Sequence, residues 1–256
     1  MRRVYLVPLL LACVCLPLSA TIITFEDFTS AGVPSGDWST SISSGYGISI
    51  PGTGVAVFSR SASAPGGTAS LTYTPIVSGD FLAVGVVDSY SLVNGTSMVL
   101  EAHWSGGSDL FTAAINQAGG VVRQMAGNSL TAEFPSAPFS SPNAVLVLYR
   151  TGNNIRAGVM GDLPVSGGVP DFSGLVPLGN WTGDQYLGDM YLSLSFGSFG
   201  AAGDASASVD IFALATPPYA PDIIPPAAGE IPEPATAVLL GGGMAVILLL
   251  RRRRAA

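Results

Sequence analysis

The residues able to do chemistry in this chain are few. His103 is the sole histidine among 256 residues. It stands in Glu101-Ala102-His103-Trp104, where strand alternation would put Glu101 and His103 on one face. A carboxylate beside an imidazole serves a hydrolytic relay only if a nucleophile completes it. Serines abound, yet no Gly-x-Ser-x-Gly elbow occurs, and triad geometry is demanding. Zinc lacks a second histidine or a thiolate pair in the mature chain. A glycosidase needs two carboxylates at a defined separation. Glu101 and Glu133 are the glutamates of the middle of the chain, and neither sits in a cluster. These residues lead to the expectation that the protein is not an enzyme.

Binding chemistry is better supplied. Sugar rings present apolar faces and polar edges, so an aromatic side chain with a few polar groups can hold them. Trp38, Trp104, Trp181 and Tyr186 are the candidates, and Trp104 reads as a core residue. Trp181 stands out, because Asn180, Asp184 and Gln185 flank it in a Gly/Pro-rich stretch expected to be a loop. A structural calcium is a second candidate, since the ion takes several oxygen ligands. If the first and last strands pair, Glu26, Asp27 and Asp210 converge at one edge. No EF-hand loop occurs, and no other cofactor is expected.

The elements that must position these groups are short and rich in β-branched and aromatic residues. They are separated by Gly, Pro, Asn and Asp, with no sustained helical period between 21 and 215. Phe81–Val87 is an apolar run expected to be a strand buried on both faces. Asn94-Gly95, between 89–93 and 97–104, is the strongest hairpin signal, because a type I′ turn needs positive φ at both positions. Ala118-Gly119-Gly120 and Gly152-Asn153-Asn154 mark two more hairpins, and 161–188 reads as a long loop. Tyr191–Phe196 alternates Tyr, Leu, Ser, Leu, Ser, Phe. About a dozen strands in one domain predict an all-β, two-sheet sandwich.

Charge narrows the partners. Between 21 and 230 there are four arginines, no lysine and sixteen acidic residues, a net charge of −12. That excludes a nucleic-acid binder, which needs a basic face. Both cysteines, Cys13 and Cys15, fall in the N-terminal apolar segment, so no disulfide framework is expected in the mature domain.

The two ends carry addresses. Arg2-Arg3 followed by an apolar run to Leu16 and a small residue at Ala20 reads as a signal peptide over 1–20, cut after Ala20. A β-sandwich over 21–215 follows, then a stiff proline-rich linker over 216–230. Residues 235–250 form an uncharged apolar run, ended by Arg251, Arg252, Arg253 and Arg254. As a helix that run spans roughly 24 Å, short of a hydrocarbon core of ~30 Å, so it would serve as a transmembrane helix only with help from snorkelling arginines. Gly241-Gly242-Gly243 weakens it further.

Pro232, Glu233 and Pro234, then the apolar run, then the terminal arginines resemble the PEP-CTERM sorting signal of exported bacterial proteins, over 231–256. That resemblance implies recognition by an exosortase-type processing enzyme, passage through the inner membrane, and delivery to the cell surface or the biofilm matrix. It also implies exopolysaccharide as a partner. More loosely, Ile23-Thr24-Phe25-Glu26-Asp27, Val147–Ile155 and Ser208-Val209-Asp210-Ile211-Phe212 resemble strands of a concanavalin-like or carbohydrate-binding jelly roll. In such folds the terminal strands commonly pair. Together these features predict an exported, non-enzymatic surface protein that binds polysaccharide. The alternatives are a glycan-active hydrolase on the same scaffold and a purely structural matrix protein.

Overall fold

Alternation along each strand builds two faces, and the structure, a computed structural model, uses both. It describes residues 22–216 except 35, 118, 127–128, 136–138, 140, 163–164, 167–168, 171 and 199–202. The chain divides into two units, Met1–Pro225 and Pro226–Ala256, and every described residue belongs to the first. The expected leader over 1–20, the linker beyond Thr216 and the tail over 231–256 lie outside the described residues. Among the described residues no helix is long and apolar enough to cross a membrane.

The strands are β1 (Ile22–Glu26), β2 (Trp38–Ile42), β3 (Tyr46–Ser49), β4 (Ala56–Arg60), β5 (Gly67–Val77), β6 (Phe81–Ser91), β7 (Thr96–Trp104), β8 (Leu110–Asn116) and β9 (Gly119–Ala126). They continue with β10 (Ser129–Pro135), β11 (Ala144–Thr151), β12 (Asn154–Met160), β13 (Val165–Ser166), β14 (Val169–Pro170), β15 (Val176–Thr182), β16 (Met190–Ser198) and β17 (Ala205–Ala215). One sheet has eight strands, ordered β15-β12-β11-β6-β17-β4-β3 with β1 also on β17; the other has seven, ordered β10-β9-β8-β7-β16-β5-β2. This is the all-β two-sheet sandwich that the sequence predicts. The terminal strands do pair, with Glu26 opposite Phe212.

The core lies between the sheets. Met98, Leu100 and Ala102 of β7 and Leu192, Leu194 and Phe196 of β16 face Ala83, Leu146, Leu148 and Phe212 across it. A second apolar cluster sits on the outer side of the eight-stranded sheet, where Phe172 and Leu175 cover Leu82, Val84, Val145 and Val147. β6 is therefore buried on both faces, as its unbroken apolar run predicts.

Of four connections read from the sequence, two form as expected and two differ. The β8–β9 and β11–β12 hairpins form as expected, with Asn116 opposite Gly119 and Thr151 opposite Asn154. Asn94-Gly95 does make a tight turn: Gly95 has φ 83° and Thr96 N–H donates to Val93 O at 2.9 Å. It joins no hairpin, because β6 and β7 lie in different sheets. The turn chemistry was local and true; the pairing is set by the core, which both strands must face from opposite sides. The expected loop 161–188 contains β15, which adds an edge strand to β12, and a 3₁₀ turn over Asp184–Leu187.

Candidate functional site

The seven-stranded sheet buries one face in the core and turns the other outward. In the backbone register Ser39, Thr72, Ser193, Glu101, Thr112, Arg123 and Glu133 stand opposite one another in turn, from β2 to β10, and Glu101 and Ser193 belong to the outer face. Each is polar, and the row crosses all seven strands at one register. Glu101 belongs to β7, the central strand. Parallel rows flank it: Ser41, Ser70, Ser195 and Val99 on one side, Tyr191, His103 and Leu110 on the other.

Glu101 organises the centre. Its Oε2 accepts from Ser193 Oγ at 2.9 Å, from Ser195 Oγ at 2.7 Å and from His103 Nε2 at 3.1 Å. Ser195 Oγ is 2.9 Å from Ser70 Oγ, so the chain of hydroxyls runs on to β5. Ser193 and Ser195 are buried, the Glu101 side chain is 15% exposed and the imidazole 44%. The carboxylate is thus held from below by hydroxyls and roofed by the imidazole, the most accessible of these groups.

Strand alternation foretold that Glu101 and His103 share a face, and they do. What the sequence reading missed is Ser193, Ser195 and Tyr191. Their signal was the Tyr-Leu-Ser-Leu-Ser-Phe alternation, which puts Tyr191, Ser193 and Ser195 on the side away from the core. The arrangement is not an acyl-transfer triad. Ser193 Oγ, at 3.4 Å, and Glu101 Oε2 both approach the same ring nitrogen, whereas a triad needs them on opposite nitrogens. Glu133 stands on the same register row, three strand spacings of backbone from Glu101, ~14 Å along the sheet.

The aromatic candidates are placed elsewhere. Trp181 lies in strand β15, not in a loop, and is 6% exposed. Its ring packs edge-on against Phe111 at 5.2 Å, and Tyr186 meets the same Phe111 at 4.6 Å. Trp181 and Tyr186 are core residues, which removes Trp181 as a sugar platform. Asn180, in the same strand as Trp181, stands opposite Arg156 of β12, and Asp184 and Gln185 belong to the adjoining 3₁₀ turn. Trp38 closes the core against Tyr73 and Phe212. Trp104 is wedged among Gly106, Gly107 and Gly188, where an added Cβ would come within 2.8, 2.4 and 2.4 Å of its ring atoms. Tyr191 is the aromatic that the outer face presents beside His103.

The expected calcium ligands do not gather. Glu26 Oε1 accepts from Phe28 N–H at 2.9 Å, fixing a turn in which the buried Phe28 has φ 52°. Asp27 caps Thr29, whose hydroxyl and N–H hold its carboxyl below the ordinary value. Asp210 sits in β17 at an irregularity where that strand meets β6. Burial first, and the neighbouring charge of Asp88 after it, pushes the Asp210 carboxyl up. Among the described residues no group of three His, Cys, Asp or Glu is placed to hold a metal.

Arg150, the largest fully buried side chain among the described residues, is a structural clamp. Its guanidinium donates to the carbonyls of Gly79 and Gly188 and lies 5.0 Å over the Phe81 ring. Burial lowers its pKa, and the charges of Asp80 and Asp189 oppose that.

No protein-family model matches the chain, and no curated protein sequence does. Solved structures do. A non-specific endo-β-1,3(4)-glucanase of glycoside hydrolase family 16 matches 78% of this chain and 92% of its own, at 11% identity and TM-score 0.56. LamA from Z. galactanivorans, in complex with laminaritriose and laminaritetraose, matches 77% and 99%, at 10% identity and TM-score 0.55. An immunostimulatory antigen and pseudo β-1,3-glucanase of Mycobacterium tuberculosis matches 77% and 99%, at 11% identity and TM-score 0.54. At such identities the likeness is one of fold. The expectation of a non-enzymatic protein is overturned by it, because the scaffold is one on which endo-acting glucanases are built. The chain therefore has the jelly-roll sandwich of these glucanases, with a polar row across its seven-stranded sheet.

Proposed function

We propose that the protein is a glycan-active hydrolase whose substrate lies across the outer face of the seven-stranded sheet. The observation that carries this reading is the unbroken polar row with Glu101 at its central strand. The half-exposed imidazole, the edge of the carboxylate and the accessible hydroxyls of Ser39 and Thr72 suit the edges of sugar rings, and Tyr191 offers a face for one ring. The glucanases that share the fold support a β-glucan as the substrate class. In this site His103 carries a proton to the glycosidic oxygen as its bond to the anomeric carbon breaks. Glu101 meets the positive charge growing on that carbon. A water then adds there and returns its proton to the imidazole, so the site is restored. The hydrogen bonds from Ser193 and Ser195 keep the carboxylate aimed outward. Incubation with laminarin, mixed-linkage β-glucan and xylan tests this: release of reducing ends supports it, and no release from any glycan refutes it.

The tail supports a place of action. The order of Pro232, Glu233, Pro234, the apolar run and Arg251–Arg254 supports export through a signal peptide and sorting by an exosortase-type enzyme to the surface or matrix. Removal of 231–256 is then expected to release the protein into the medium. Unchanged surface retention would contradict it, and the intact mass of the surface form reports where both ends are cut.

A further inference from the structure

A second polar site lies on the other sheet. At the end where β4 and β6 finish and β17 begins, a cavity of about 410 Å³ is lined by Ser59, Arg60, Ser61, Ser91, Asp204 and Ser206, with Ala205. Ser59, Ser206 and Ser91 stand side by side at one register across the three strands. They alternate with Phe58 and Ala207, which are buried, so the hydroxyls belong to the outer face. Gly47 of β3 completes the row, and a Cβ there would come 3.0 Å from Ser59 Oγ. The absence of that Cβ leaves the Ser59 hydroxyl open.

Hydrogen bonds hold the charged groups of the walls. Arg60 is 3% exposed, and its guanidinium donates to Gly203 O at 2.7 Å and Ala64 O at 2.5 Å. Asp204 Oδ1 accepts from Ala62 N–H at 2.8 Å. The cavity therefore sets a fixed cation and a fixed anion around a floor of hydroxyls. A ligand with net charge of either sign meets one like charge there. A neutral ligand rich in both donors and acceptors meets none. The volume falls within the ~300–1,000 Å³ of small-ligand sites.

We infer that this cavity is a carbohydrate-binding site for one or two neutral sugar units, separate from the sheet-face row and independent of the hydrolase reading. It gives the protein a second grip on a polysaccharide without any part in bond cleavage. With no aromatic residue in its lining, its affinity rests on hydrogen bonds and is weak.

The test uses the full chain carrying Tyr191→Ala, which disables the sheet-face platform, and reads cellobiose by saturation-transfer difference NMR. Cellobiose is expected to bind still. Adding Ser59→Ala with Ser91→Ala is expected to weaken binding about tenfold, the loss of two hydroxyl partners. Both serines are exposed, so the fold is expected to survive, and circular dichroism checks it. Ser91→Leu, which crowds the cavity, is expected to abolish the signal. The inference is overturned if Tyr191→Ala alone removes all cellobiose binding, or if the serine variants leave it unchanged. It is equally overturned if inorganic phosphate or calcium displaces the sugar. Hydrolysis of glucan by the Ser59→Ala/Ser91→Ala protein is expected to persist, so failure here and failure of the hydrolase reading are read separately.

Discussion

Glu101 accepts three hydrogen bonds at once, and each donor can be removed alone. Glu101→Gln keeps the shape and removes the charge; glycan turnover is expected to fall at least ~100-fold, measured as reducing-end release. Ser195→Ala leaves two of the three donors and is expected to cost far less. Tyr191→Ala is expected to raise KM with little change in kcat, the mark of a platform that binds substrate and transition state alike. Trp181 behaves differently. It is buried against Phe111, so Trp181→Ala is expected to lower stability by about 3–5 kcal/mol in a denaturant titration. Its glycan affinity, measured on the protein that remains folded, is expected to be unchanged.

At the scale of elements, strand alternation made much of this legible. Glu101 with His103 and the serines of β16 follow from a period of two, once each strand's core face is known. What alternation does not tell is which strands neighbour one another. β16 sits between β7 and β5, far from both in sequence, and only that pairing brings Ser193 and Ser195 to Glu101. The Asn94-Gly95 turn misled for the same reason: a turn's chemistry is local, its partner strand is not. Trp181 misled because a Gly/Pro-rich stretch concealed an edge strand. The β17–β6 irregularity yields a further test. The folded state raises the Asp210 pKa, chiefly by burial, so it favours the protonated form. Stability from that protonated form is full below the ordinary carboxylate value of about 4 and is lost as pH rises through the raised folded value. Asp210→Asn is therefore expected to raise Tm at pH 7, and the gain is expected to vanish below pH ~4. A gain that persists in acid would contradict this.

For the whole molecule, the two sheets differ in their outer faces. The seven-stranded sheet offers a polar row from edge to edge, and the eight-stranded sheet carries a covered apolar face and the Arg60 cavity at one end. The excess of acidic residues over 21–230 keeps polyanions away, in keeping with the neutral glycan of the proposed function. The most direct measurement is the crystal structure of Glu101→Gln bound to a laminari-oligosaccharide. The sugar chain is expected to lie across the seven-stranded sheet, one ring against Tyr191 and a glycosidic oxygen within hydrogen-bonding reach of His103. A sugar bound only elsewhere, or none on that face at saturating concentration, would contradict it.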